Sequence, residues 1–221
     1  MKNYGRFFIG LIFAWFIFAL SASARGLFNN GANRLGLAVA FAALTPILLF
    51  FLWFAASARF REFALSLNPR ILTFVHAWRV VGVTFVVLEA YRILPAIFAL
   101  PAGYGDIAIG ATAPFVAWKL ASPSHRGSFI LWQVLGLSDL VMAVTLGTTA
   151  RLLVAQDVSM TAMTVLPLSL IPTFIVPLLT IFHVICIVQA SAWKSAPGNT
   201  VHTERLVNGS VAGHFYTPRI I

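Results

Sequence analysis

The sequence predicts an all-α fold, a polytopic transmembrane helical bundle of about six spans, and three observations carry that prediction. Of the 221 residues, 60% are hydrophobic and 10% are charged, and the mean hydropathy is +0.91. A water-soluble domain of this size could not cover so much apolar surface with polar residues. The apolar residues form six long runs, and the alternating segments of about ten residues that build a membrane barrel do not occur.

The six apolar runs set the expected helices and domains. Backbone N–H and C=O groups find no water inside a bilayer, so each run is expected to be helical. The runs cover residues 7–20, 35–58, 71–92, 102–121, 128–150 and 162–190. Residues 1–190 therefore form one six-helix transmembrane domain, and the polar residues 191–221 are expected to be a flexible cytoplasmic tail.

The first run allows a second interpretation. Lys2 and Arg6 precede a Phe-rich stretch that ends in the small residues 21–24. This order also fits a secretory signal peptide with an A-x-A cleavage site. Under that interpretation residues 1–24 are removed and five spans remain; otherwise the first helix is retained.

Basic residues predict the orientation of the chain. The N-terminal residues, the second and fourth loops and the C-terminal tail hold 2, 3, 2 and 3 Lys or Arg, ten in all, against four on the opposite side. The positive-inside rule then places both termini in the cytoplasm, with the bundle in the cytoplasmic (inner) membrane. Topology thereby accounts for the net charge of +9. A nucleic-acid partner is not expected, because the sequence has no basic stripe interleaved with aromatic residues.

Ionisable side chains inside the runs are the first candidate functional residues. A charge near the bilayer centre costs at least about 2.5 kcal/mol and normally faces the bundle interior or a cavity. Counting residues along the helices at ~1.5 Å each places Arg79 near the depth of Asp139. The same count puts His76 and His183 at matching depths, so these two rings are expected to face each other.

A second polar cluster is expected nearer the outer surface. Glu89 and Arg92, at spacing i,i+3, share a depth with Asp106 at the start of the fourth helix. Asp106 also belongs to a face of small residues that would let a neighbouring helix approach closely. The segments 103–112 and 136–145 match at a Gly, at an Asp three residues later and at a Thr, which hints at a repeated helix.

The sixth run carries a polar stripe. At 100° per residue, five side chains fall within an arc of about 100°. They are Ser169, Pro172, Thr173, Thr180 and His183. Prolines recur at positions 167, 172 and 177 and each frees a backbone carbonyl. Such a stripe predicts a lining for a ligand or ion pathway, or hydroxyl groups that bond the freed carbonyls.

These residues predict transport or ligand binding in the membrane. Carboxylates at Glu89, Asp106 and Asp139 could bind and release a proton or cation that drives uptake of a small solute or ion. The competing interpretation is structural ion pairing of the same carboxylates with Arg79 and Arg92.

Two further interpretations remain open. His76 and His183 could be the axial ligands of a haem b iron in an electron-transfer protein, or they could be interior histidines bonded to hydroxyls and carbonyls. The chain could also be a structural subunit of a homo-oligomer or of a larger membrane complex, because its soluble parts are too short for an independent domain.

Catalysis is less favoured than transport by the sequence. The nearest approach to a catalytic pair is His183 with Cys186 at spacing i,i+3. No hydrolase, zinc-peptidase or nucleotide-binding motif occurs in the sequence. Cys186 is the single cysteine, so no internal disulfide can form.

Overall fold

The computed structural model describes residues 2–29, 37–153 and 158–193, in which all regular structure is helical and no strand occurs. Six helices are long and apolar enough to cross a membrane, and they are numbered one to six here. They span Tyr4–Ala24, Leu37–Ala56, Pro69–Ala90, Ala96–Leu120, Pro123–Ala150 and Ile171–Ser191. The all-α class is confirmed, and six helices of this composition indicate a multi-pass membrane protein. The predicted tail lies outside the described residues from position 194 onward.

A short helix, Ala58–Leu65, joins helices two and three. It begins at Ser57, whose side chain accepts a hydrogen bond of 3.3 Å from the backbone N–H of Phe60, as expected of an N-cap serine. Asn68 caps helix three in the same way, accepting 2.9 Å from the N–H of Arg70. These caps mark the end of the molecule at which helix two stops and helix three starts.

Helix four begins earlier than the sequence predicts. Its first residue is Ala96, directly after Pro95, whereas the apolar run was expected to start near residue 102. The extended backbone of Pro95 is a stronger boundary signal than the small residues that follow it. Asp106 therefore lies about ten residues, or roughly 15 Å, inside the helix and not at its end.

Helix six begins later than the sequence predicts. Residues 160–164 form a 3-10 turn, and the continuous helix starts with the π turn Ile171–Ile175. Prolines at 167 and 172 interrupt the backbone hydrogen-bond ladder, so residues 162–170 do not extend the helix as one α-helical rod. Pro167 consequently lies in the turn that precedes helix six.

The middle of helix three is not α-helical. The segment His76–Gly82 is a 3-10 helix between two α-helical ends. With three residues per turn, side chains at i and i+3 eclipse each other. His76, Arg79 and Gly82 are consequently buried in one row, whereas an ideal α-helix would spread them over about 120°.

Glycines let helices three and four approach each other closely. A Cβ added at Gly103 would lie 3.0 Å from the carbonyl oxygen of Gly82, and a Cβ added at Gly110 would overlap the backbone of Arg79 and Val80. Only a residue without a side chain fits against a neighbouring backbone at this separation. The small-residue face of helix four thus packs on the 3-10 segment of helix three.

Replacing Gly110 with Ala is expected to destabilise the fold. The added methyl group meets backbone atoms that cannot rotate away, and overpacking of this kind costs about 1–3 kcal/mol. Thermal unfolding in detergent measures the loss. Gly10→Ala is the control, because a Cβ at Gly10 meets nothing within 4 Å. Equal stability of the two variants would show that the contact between helices three and four tolerates a methyl group.

Two apolar clusters flank the middle of the bundle. The first packs side chains from the end where helix three starts, among them Phe60, Leu72, Ile109, Phe129 and Ile185. The second packs side chains from the opposite end, among them Phe85, Leu94, Phe98, Ala150 and Met163. The 3-10 segment lies between them, so the polar residues in the middle of helices three, four and five are enclosed by apolar packing at both ends.

Candidate functional site

Arg79 is the centre of a buried ion-pair cluster. Its side chain is 2% exposed. The Nε group donates a hydrogen bond of 2.6 Å to Oδ1 of Asp106, and Nη2 pairs with Oδ2 of Asp139. Nη1 donates 3.1 Å to the carbonyl oxygen of Gly136. One guanidinium group thereby joins helix three to helices four and five through charged hydrogen bonds, the strongest class in proteins.

A chain of hydrogen bonds leads away from Arg79 in one direction. Gln133 Nε2 donates a 2.9 Å hydrogen bond to Thr73 Oγ1. The amide oxygen of Gln133, Oε1, is therefore the acceptor for His183 Nδ1, which lies 2.6 Å away. His183 Nδ1 must then carry the proton, which leaves Nε2 to accept from Arg79 Nη1 at 3.4 Å. Every donor in the row points away from the Arg79 cation, and each bond polarises the next.

The hydrogen-bonded chain continues from Thr73 toward the start of helix three. The sulfur of Cys186 lies 3.9 Å from Thr73 Oγ1 and 3.9 Å from the carbonyl oxygen of Pro69. Thr73 is fully buried, and Cys186 is fully buried as well. The polar row therefore runs from the middle of the bundle to the capped end of helix three, through the first apolar cluster.

His76 lies directly on His183, as their matching depths predict. The ring centroids are 3.9 Å apart and the rings are stacked at 28°. Trp132 packs its ring against both histidines, with a centroid distance of 5.9 Å to each. Among the described residues neither ring nitrogen of His76 has a hydrogen-bond partner, although an unsatisfied buried polar group costs about 1–3 kcal/mol.

The two histidines do not fit axial ligation of a haem in this arrangement. A bis-histidine haem needs the porphyrin plane between the two imidazoles, with one nitrogen of each ring aimed at the iron. Here the rings touch face to face at 3.9 Å, and both nitrogens of His183 are engaged by Gln133 and Arg79.

The charges of the cluster do not balance. One guanidinium lies between two carboxylates, whose side chains are 18% (Asp106) and 10% (Asp139) exposed. With both carboxylates ionised, the formal charge of the cluster is one negative unit, held largely out of water. Oδ1 of Asp139 has no partner among the described residues. One proton or one monovalent cation would bring the cluster to neutrality.

The predicted outer cluster of Glu89, Arg92 and Asp106 is wrong, because these three described residues do not meet in ion pairs with one another. Asp106 pairs with Arg79 and not with Glu89 or Arg92, because helix four starts early enough to bring Asp106 to the middle of the bundle. Glu89 is half-buried near the end of helix three, and Arg92 is exposed in the following turn. No ion pair within 4.0 Å joins these two described residues.

The polar stripe of helix six is satisfied mostly within its own backbone. Thr173 and Thr180 donate 2.7 and 2.8 Å to the carbonyl oxygens of Ser169 and Val176, one turn earlier. Ser169 donates 2.9 Å to the Ser23 hydroxyl of helix one. Of this stripe only His183 reaches the ion-pair cluster.

Reasoning from the sequence missed several members of the site. Gln133, Thr73 and the Gly136 carbonyl are not ionisable, so a prediction that rests on the depths of charged residues does not include them. A glutamine in the middle of an apolar run is itself a signal, since a buried amide needs partners. The Gly136 carbonyl is visible only in the structure, although the paired Gly-x-x-Asp segments pointed to this part of helix five.

The fold and the site define the class of the protein: an α-helical chain of multi-pass type whose interior holds a buried Asp–Arg–Asp cluster. It belongs to the family described as Domain of unknown function (DUF8737), whose model matches residues 34–190. The match includes helices two to six and every member of the ion-pair cluster, and helix one precedes it. No curated protein and no solved structure matches the chain.

Proposed function

We propose that this chain is a multi-pass protein of the cytoplasmic membrane that transports a small solute or ion. Transport would be coupled to one proton or monovalent cation bound by the cluster of Asp106, Arg79 and Asp139. The observation that carries the proposal is the single excess carboxylate in a buried cluster. Intramembrane carboxylates of this kind serve proton and ion pathways in pumps and transporters.

The proposed orientation has both termini in the cytoplasm. Arg61 donates 3.2 and 3.3 Å to the carbonyls of Phe54 and Ala55 at the end of helix two. Arg126 donates 3.0 Å to each of the carbonyls of Ala190 and Ser191 at the end of helix six. These arginines complement the negative ends of two helices at the face that carries most basic residues, which the positive-inside rule assigns to the cytoplasm.

The proposed access route to the cluster runs from the cytoplasmic face. The hydrogen-bonded row from Arg79 ends at Thr73, Cys186 and Pro69, near the start of helix three. In the opposite direction the second apolar cluster, with Phe85 and Phe98, fills the bundle. Apolar packing lies at both ends of the cluster, and the hydrogen-bonded row crosses it toward the cytoplasmic end, which favours exchange of a proton with the cytoplasm along that row in this conformation.

Proteoliposomes loaded with the pH-sensitive dye pyranine test the proposal. With a pH gradient imposed, addition of a coupled solute from a panel of amino acids, organic acids, sugars and inorganic ions is expected to change the internal pH faster than in protein-free vesicles. A sodium gradient without a pH gradient is the second arm; it is followed by uptake of radiolabelled solute, because pyranine reports only protons, and it separates cation coupling from proton coupling. Absence of solute-dependent flux under both gradients would count against coupled transport.

Structural ion pairing is the competing function, and one observation favours it. Arg79 uses Nε, Nη1 and Nη2 to bind three helices, which would also suit a rigid subunit of a larger membrane complex. Buried pairs of this type can specify a unique packing without contributing net stability. The two functions differ in what happens when one carboxylate is neutralised.

A further inference from the structure

A large apolar groove lies between helix one and the rest of the bundle. Its volume is about 910 Å³, within the range of sites for small molecules. Helices one, two and six and the short helix Ala58–Leu65 form its walls. The polar lining side chains are two threonines and two tryptophans, and the rest are aliphatic or phenylalanine apart from one glycine and one proline. The groove follows helix one from Gly5 to Ala19, roughly 21 Å.

Helix one is held at both ends of this groove. At one end Phe8 stacks on Phe60 and Phe63, with ring centroids 4.9 and 4.8 Å apart. At the other end Ser23 accepts the 2.9 Å hydrogen bond from Ser169. Specific contacts therefore hold helix one against the bundle at both ends of the groove, and the groove is the space between these contacts.

The two ends of the groove differ in charge. Three exposed arginines follow or precede lining residues in the sequence at the Phe8 end, namely Arg6, Arg59 and Arg61. The acidic side chain beside them in the sequence is Glu62. Arg61 is engaged with helix two. Arg6 and Arg59 make no side-chain hydrogen bond or ion pair within the described residues. At the opposite end Arg25 is the charged side chain among the described residues.

We propose that the groove binds an anionic phospholipid of the cytoplasmic leaflet. The acyl chains lie along helix one, and the phosphate of the headgroup is held by Arg6 and Arg59. Guanidinium groups bind phosphate through paired hydrogen bonds, and each basic side chain near the membrane surface attracts anionic lipid. This proposal rests on the membrane insertion proposed above and not on ion-coupled transport.

Tryptophan fluorescence distinguishes a lipid in the groove from lipid around the protein. Trp15 lines the groove, whereas Trp78 is 61% exposed and lies outside it. The two have similar depth, since Trp15 lies about nine residues after Arg6 and Trp78 about nine residues after Pro69. The full chain is placed in phosphatidylcholine nanodiscs that contain a small fraction of phosphatidylglycerol brominated in mid-chain. A second sample contains the same fraction of brominated phosphatidylcholine instead.

Brominated phosphatidylglycerol is expected to quench Trp15 at a lower mole fraction than brominated phosphatidylcholine does. Trp78 should respond to the two lipids equally. The variants Trp15→Phe and Trp78→Phe assign the signal to each residue. Arg6→Gln and Arg59→Gln should each weaken the headgroup preference at Trp15 roughly fivefold, while Arg25→Gln should leave it unchanged.

Two other results are informative in different ways. Equal quenching of Trp15 by both lipids would overturn the lipid site, because the groove would then be in ordinary contact with bulk lipid. Failure of both lipids to quench Trp78 would instead overturn membrane insertion itself. Quenching of Trp78 also serves as the folding control for each arginine variant.

Discussion

Arg79→Met is expected to lower the free energy of unfolding by about 3–5 kcal/mol, the cost of removing one partner from a buried ion pair. The variant leaves Asp106 and Asp139 facing each other without a cation between them. It also leaves the Gly136 carbonyl and His183 without their donor. Thermal or denaturant unfolding in one fixed detergent measures the change in the free energy of unfolding, and size-exclusion chromatography monitors the folded fraction.

A neutral triple variant separates charge from packing in this experiment. Combining Arg79→Met with Asp106→Asn and Asp139→Asn removes every charge of the cluster and should recover most of the lost stability, because buried ion pairs can be replaced at little net cost. Arg59→Met, at an exposed arginine, should stay within about 0.5 kcal/mol of the wild type. If the triple variant is as unstable as Arg79→Met, lost packing of the long side chain is the cause.

Asp139→Asn is expected to abolish solute-driven proton or cation flux while the protein still folds. Arg79 keeps Asp106 as its counter-ion, so the remaining pair is neutral and has no charge deficit that an extra cation would balance. The amide oxygen can still accept from Arg79, and the loss of stability should be limited to about 1.5–3 kcal/mol, the value of one charged hydrogen bond. Pyranine-loaded proteoliposomes measure the proton flux, and uptake of radiolabelled solute under a sodium gradient measures the cation-coupled flux.

Two matched variants serve as controls for the flux of Asp139→Asn. Asp106→Asn removes the other carboxylate of the cluster and should abolish coupling in the same way. Glu89→Gln removes a half-buried carboxylate of helix three that lies outside the cluster, and its flux should equal that of the wild type. Full coupled flux in a well-folded Asp139→Asn variant would assign the cluster a structural role.

Part of the site follows from residue counts, because each apolar run forms a helix with a known rise per residue. The pairing of Arg79 with Asp139 and the contact between His76 and His183 both follow from residue counts along straight helices. Asp106 does not lie at its predicted depth, because the depth of a residue depends on where its helix begins. The start of helix four at Ala96 moved Asp106 from the predicted surface cluster into the centre.

The geometry of helix three could not be read from its residues. A count at 100° per residue spreads His76, Arg79 and Gly82 over about 120° of the helix, whereas the 3-10 segment aligns them in one buried row. Close contact with Gly103 and Gly110 of helix four accompanies this row. Residues 77–81 contain no proline or glycine that would predict a break in the α-helix.

The sequence by itself determined the class of the fold, the number of long apolar helices and the approximate depths of Arg79 and Asp139, because hydropathy and helical rise depend only on residue order. Tertiary structure decided which charges meet. Asp106 reaches Arg79, and Gln133 links His183 to Thr73, because helix starts and helix rotations are set by packing between helices. A polar side chain in an apolar interior pairs with whatever partner that packing brings within hydrogen-bond distance.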